Sequence, residues 1–133
     1  QETQRIFNIA MSCIAGISLL VGGIGIMNIM LASVLERTRE IGIRRAVGAK
    51  RKDIMGQFVA EAVVISLVGG LLGIGAGYGI SKAVSLYAHW RTLISIISIL
   101  IAFGIAVSVG LTFGIYPAYT ASKLNPIEAL RYE

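Results

Sequence analysis

Three long runs without a charged side chain, residues 6–35, 62–81 and 92–122, alternate along the chain with shorter charged segments. A helix rises about 1.5 Å per residue, so roughly 20 apolar residues cross a hydrocarbon core of about 30 Å. All three runs are long enough. The helices of a soluble bundle would each keep a polar face, and these runs keep almost none. The pattern predicts an all-α, polytopic membrane protein. Its three transmembrane helices fall over residues 6–35, 57–81 and 93–117, with a charged connector at 36–53 and a tail at 118–133. The first run, near 45 Å as a helix, exceeds the hydrocarbon core and must tilt or project beyond one face.

Composition supports the lipid environment. Of the 133 residues 56% are hydrophobic and 14% charged, where a soluble domain carries about 25% charged residues. The first residue is Gln1, and the first apolar run is too long for a signal peptide. The expectation is a portion of a longer protein. Cys13, the single cysteine, excludes an internal disulfide and a cysteine-based zinc site and reads as a small packing residue.

The net charge of +5 does not point to nucleic acid. Seven of the twelve Lys and Arg residues (Arg37, Arg39, Arg44, Arg45, Lys50, Arg51, Lys52) fall in one connector, with no aromatic residues between them. Base stacking has nothing to work with, whereas an excess of basic residues marks a cytoplasmic loop. Placing that connector inside puts the N-terminus outside and the C-terminus, with Lys123 and Arg131, in the cytoplasm. Only Arg5, Lys82 and Arg91 are then external. An external N-terminus requires an earlier span upstream.

Small residues recur at four-residue spacing. Gly69, Gly73, Gly77 and Ser81 form one row, and Ala102, Ala106, Gly110 and Gly114 another. Such rows let helix backbones approach closely in lipid, either within the chain or across a homodimer; both readings stay open here. Gly22, Gly23 and Gly25 crowd the first span. No polar pathway crosses the spans, and Glu61 reads as a side chain snorkelling to the interface. No catalytic or metal-binding set is expected. His89, the sole histidine, stands beside Trp90 in the outer loop, and no phosphate-binding glycine loop is present.

The connector is more than a basic loop. Glu40 and Arg44 are four apart, in the favourable helical order. Ile43, Ala46 and Val47 share a face opposite much of the charge. Gly48 stands where a helix would end, and Asp53 can cap the next. The expectation is a short amphipathic helix at the cytoplasmic surface, either a lipid-hugging connector or a docking element.

The run 22–30 (GGIGIMNIM), followed by 36–49 (ERTREIGIRRAVGA) and the tail 116–133 (YPAYTASKLNPIEALRYE), resembles the permease signature of the MacB/FtsX-like ABC transporter family, most closely its MacB branch. The resemblance covers most of the chain. It implies the last three of four transmembrane helices, with an extracytoplasmic domain between the first and second. It also implies a homodimer and an ABC ATPase, fused or separate, that holds ATP and magnesium; no cofactor is expected on this chain. The connector residues Glu36, Arg37, Arg39, Glu40, Gly42, Arg44, Arg45 and Gly48 would couple to that ATPase, and Gly69, Gly73, Gly77, Ala106, Gly110 and Gly114 would pack or dimerise the helices.

The implied function is mechanotransmission: ATPase motion relayed across the bacterial inner membrane to an extracytoplasmic domain, driving efflux of drugs, peptides or toxins. A periplasmic or extracellular adaptor would be a further partner. Lipoprotein-releasing and cell-wall-hydrolase-regulating permeases are the alternatives within the superfamily, and a passive membrane scaffold or receptor anchor is the alternative outside it.

Overall fold

A computed structural model of the chain describes residues 1–88, 92–125, 127 and 129. The expectations placed on His89, Trp90, Arg91 and Arg131 lie outside these residues. Four helices follow one another: α1 (Glu2–Glu36), α2 (Thr38–Ala46), α3 (Arg51–Ala88) and α4 (Ile96–Ser122). Among the described residues there is no strand. α1, α3 and α4 are each long and apolar enough to cross a membrane. Leu20, Val21, Leu71, Leu72, Ile96 and Ile97 are all more than half exposed, an outer surface suited to lipid and a liability in water.

Several hydroxyl groups inside the long helices are satisfied locally. Ser18, Ser66, Ser108 and Thr112 each donate to the carbonyl four residues back, at 2.7–2.9 Å. Their protons are thereby matched without any polar stripe across the spans. Ser95 caps α4, its hydroxyl oxygen accepting from the Ile97 N–H at 3.3 Å.

α3 and α4 pack antiparallel through a row of small residues. A β-carbon on Gly110 would overlap Ser66, one on Gly114 would overlap Ala62, and one on Gly70 would lie 3.6 Å from Ala106 Cβ. The row on α4 is thus the expected one. Its partner on α3 is Ala62–Ser66–Gly70 rather than Gly69–Gly73–Gly77. Alanine and serine are small enough to serve as well as glycine, so a search for glycines alone selects the neighbouring row. α1 meets α4 at Gly23, which is buried beneath the Phe113 ring with no room for a β-carbon.

Packing is uneven along the bundle. The core gathers at the α2 end, where Met30, Val34, Ile41, Ile54, Phe58 and Ala118 are nearly or fully inaccessible. Toward the other end α1 and α3 part, leaving an apolar groove of about 790 Å³ floored by α4. Gly69, Gly73 and Gly77 line that groove, and a β-carbon on any of them would meet nothing within 4 Å.

Candidate functional site

The conspicuous polar cluster lies around α2. A single residue, Arg37 (φ −97°, ψ 10°), interrupts the helical dihedrals between α1 and α2. The hydrogen-bond ladder continues across it: Arg37 N–H donates to the Ser33 carbonyl and Ile41 N–H to the Arg37 carbonyl, each at 3.0 Å. The Thr38 hydroxyl donates to the Val34 carbonyl at 2.9 Å. α2 is therefore tied covalently and by hydrogen bonds to the end of α1.

α2 stops where glycine permits. Gly48 has φ +111°, a region that costs other residues strain. Its N–H donates to the Arg45 carbonyl at 3.2 Å, and the Ala49 N–H donates to the Arg44 carbonyl at 3.0 Å, the paired bonds of a Schellman ending. α3 begins two residues later. Asp53 caps it from within the first turn, its carboxylate accepting from the Lys50 N–H at 3.0 Å, as the acidic member of a capping box does.

α2 has a second, inward face beside the expected apolar one. Thr38, Ile41 and Gly42 are buried, whereas Ile43 and Val47 are 48% and 85% exposed and Ala46 is exposed too. The physical reason lies on the neighbouring elements. Ile41 enters the core beside Ile54 and Phe58, and the missing side chain of Gly42 admits the tail. A β-carbon on Gly42 would stand 2.7 Å from that of Ala129, which sits one helical turn beyond Asn125 (N–H to Asn125 carbonyl, 2.9 Å). The close approach that Gly42 permits is made by the chain's own tail.

Two arginines on this segment reach α3. Arg44 pairs with Glu40 on its own helix and donates from Nη1 to Gln57 Oε1 at 2.6 Å. Arg37 Nη1 stands 3.6 Å from Glu61 Oε2. Glu61, which reads in the sequence as snorkelling alone, has a cationic partner. Glu36 and Arg39 lie exposed and Arg45 half-buried. The structure thus gathers all eight connector residues at one end of the bundle, while the small-residue set divides between the α3–α4 contact (Ala106, Gly110, Gly114) and the groove (Gly69, Gly73, Gly77). Gln57 and Ala129 were missed. A signal existed for the first, because Gln57 and Glu61, one turn apart, are the only polar side chains between Asp53 and Ser66.

Comparison with known proteins gives the family. The FtsX-like permease C-terminal family matches residues 12–126. The chain belongs to the FtsX-like permease family. This permease domain is 55% identical over 132 residues to a macrolide export ATP-binding/permease protein MacB of Bdellovibrio bacteriovorus, covering 99% of the chain and 20% of that relative. It is 58% identical over 120 residues to the ABC transporter permease YknZ of Bacillus subtilis, covering 90% of the chain and 30% of that relative. A probable syringafactin export ATP-binding/permease protein SyfD of Pseudomonas syringae pv. tomato is 51% identical over 131 residues, covering 98% of the chain and 20% of the relative. The chain therefore spans between a fifth and a third of the relatives' length. The resemblance to the MacB branch is borne out, and the permease domain is a membrane protein. Two of these relatives join an ATP-binding part to a permease part in their names.

Proposed function

We propose that this permease domain is the transmembrane relay of a MacB-type ABC exporter, receiving force from an ABC ATPase at α2 and passing it across the membrane to an extracytoplasmic domain. One observation carries the reading. α2 is fixed to the bundle on one face while Ile43 and Val47 on the other are exposed and, among the described residues, buried by nothing. Exposed apolar residues beside Arg39 and Glu40 suit a protein surface, with the apolar pair supplying burial and the charges setting register.

The family's partner set completes the proposal: a second permease copy, ATP and magnesium on the nucleotide-binding domain, and an adaptor on the far side. In it the membrane is the bacterial inner membrane, with α2 and the tail in the cytoplasm. The cargo is of the kind named for the relatives, a macrolide or another exported small molecule. Cargo would not pass between these helices, where the Ser18, Ser66 and Ser108 hydroxyls are turned to their own backbones. Lysine–tyrosine pairs at opposite ends of the bundle, Lys82 over Tyr78 and Lys123 over Tyr119, fit the two interfaces.

The test is Val47→Arg in the full-length transporter. It should lower retention of the ATPase at least tenfold during purification, with membrane insertion unchanged. Retention and transport equal to the parent would remove the docking role of α2.

A further inference from the structure

α1 and α3 hardly touch above the core. α1 leans on α4 through Gly23 and Phe113, α3 leans on α4 through the small-residue row, and the groove separates α1 from α3. Motion entering at α2 would reach α1 through Arg37 and α3 through the turn 47–50. Side-chain contacts between α2 and α3 would stiffen the second of these paths.

Gln57 and Glu61 are four residues apart on α3, and so lie one above the other on a single helical face. Arg44, in the last turn of α2, donates to Gln57 at 2.6 Å. Arg37, the break residue before the first turn of α2, stands 3.6 Å from Glu61. The short helix is thus held to α3 at both ends, by two separate polar contacts on one face. Glu40, paired with Arg44, steers that guanidinium and leaves its Nη1 for Gln57.

The chemistry suits the depth. Glu61 lies two helical turns past Asp53, about 12 Å further along the axis, and is followed by twenty uncharged residues, 62–81. Near hydrocarbon an ionised carboxylate is costly unless paired. Arginine presents several donors in a fixed plane, which suits it to pair with a carboxylate here. Arg37 combines this with a second property, because its backbone is the point at which α1 ends and α2 begins. The residue that makes the joint also pins it.

We propose that Gln57 and Glu61 are positioning residues that clamp α2 to α3 through Arg44 and Arg37, so that α2 and α3 move as one lever. The proposal rests on the reading of α2 as the receiver of ATPase motion. It adds the path of that motion, which runs through α3 as well as α1. Neither glutamine nor glutamate meets the ATPase in this scheme; each acts through an arginine.

The experiment uses the full-length transporter in three variants beside the parent: Glu61→Arg, Arg37→Glu and the double exchange, with Gln57→Leu as an independent arm. Hydrogen exchange without nucleotide tests the clamp, free of any ATPase role. Each single variant should speed exchange of α2 amides at least fivefold relative to α4, and the double exchange should restore it to within twofold. Transport per ATP hydrolysed, in reconstituted membranes, tests the lever. That ratio should fall at least fivefold in each single variant and in Gln57→Leu and return in the double exchange, with ATPase retention in Glu61→Arg and Gln57→Leu within twofold of the parent. A merely structural role would reduce the amount of folded transporter and leave the ratio alone.

Unchanged α2 exchange in the single variants would overturn the clamp. Faster exchange with an unchanged transport ratio would overturn the lever while the docking reading stood. Loss of the ATPase from Glu61→Arg would also overturn it, by giving Glu61 a direct binding role. The docking reading is tested separately by Val47→Arg, so the two can fail independently.

Discussion

Ala129 lies on Gly42 so closely that a β-carbon there would be 2.7 Å from the alanine methyl. Both residues are buried, and the contact is the one by which the tail covers the inner face of α2. Gly42→Leu should expel the tail, since overpacking of this kind costs about 1–3 kcal/mol. The tail beyond Lys123 should then become several-fold more sensitive to limited proteolysis in detergent, while α1, α3 and α4 stay protected. Gly42→Ala, with one carbon to accommodate, should give a smaller effect in the same direction. Unchanged cleavage of Gly42→Leu would show that the tail is held by something other than this contact.

The small-residue rows give opposite expectations for similar substitutions. Gly114 faces Ala62 with no space for a side chain, whereas Gly73 opens onto the groove. Gly114→Leu should lower thermal stability in detergent by about 1–3 kcal/mol or more, and Ala62→Gly should recover part of a milder Gly114→Ala loss. Gly73→Leu should leave the stability of the α3–α4 pair near that of the parent. Equal loss for Gly73→Leu and Gly114→Leu would mean that the groove is filled in the assembled transporter.

Two glycines of the segment respond oppositely to alanine. Gly48 has φ +111°, so Gly48→Ala should destabilise the α2–α3 turn by about 1–2 kcal/mol. Gly56 is helical and has open space at its β-carbon position. Gly56→Ala should be neutral or stabilising by up to about 1 kcal/mol, the helix-propensity difference. Thermal unfolding of both variants in one detergent checks the signs.

The basic connector predicts a sidedness that can be read by labelling. In a Cys13→Ala background, cysteine at the exposed Tyr87 should react with an impermeant thiol reagent added to intact cells. Cysteine at the exposed Lys50 should react only after permeabilisation. The reverse pattern would place α2 on the far side from any ATPase.

The long helices were legible because bilayer thickness imposes a length and a polarity that nothing else in a sequence imitates. The turn at Gly48 and the Glu40–Arg44 pair were legible for a similar reason, since both are set by local helix geometry. Long-range choices were not. Ile43, Ala46 and Val47 form an apolar face by periodicity, but which residues turn inward to the bundle depends on what waits there. Only the folded chain shows that Ile54 and Phe58 receive Ile41 and that the tail covers Gly42. In the same way, small-residue spacing allows two rows on α3, Gly69–Gly73–Gly77 and Ala62–Ser66–Gly70. The position of α4 decides between them.

The groove has a mechanical consequence. Where side chains interlock, around Met30, Phe58 and Ala118, separating the helices would forfeit dense van der Waals contact. Where α1 and α3 stand apart, spreading them forfeits almost none. Resistance to deformation therefore falls steadily from the α2 end to the opposite end. A load applied at the stiff end of such a body swings its limbs about a pivot in preference to sliding them past one another. In the proposed relay, displacement would then be greatest at the far tips of α1 and α3, and a small shift at the connector would emerge enlarged at the opposite end of the bundle.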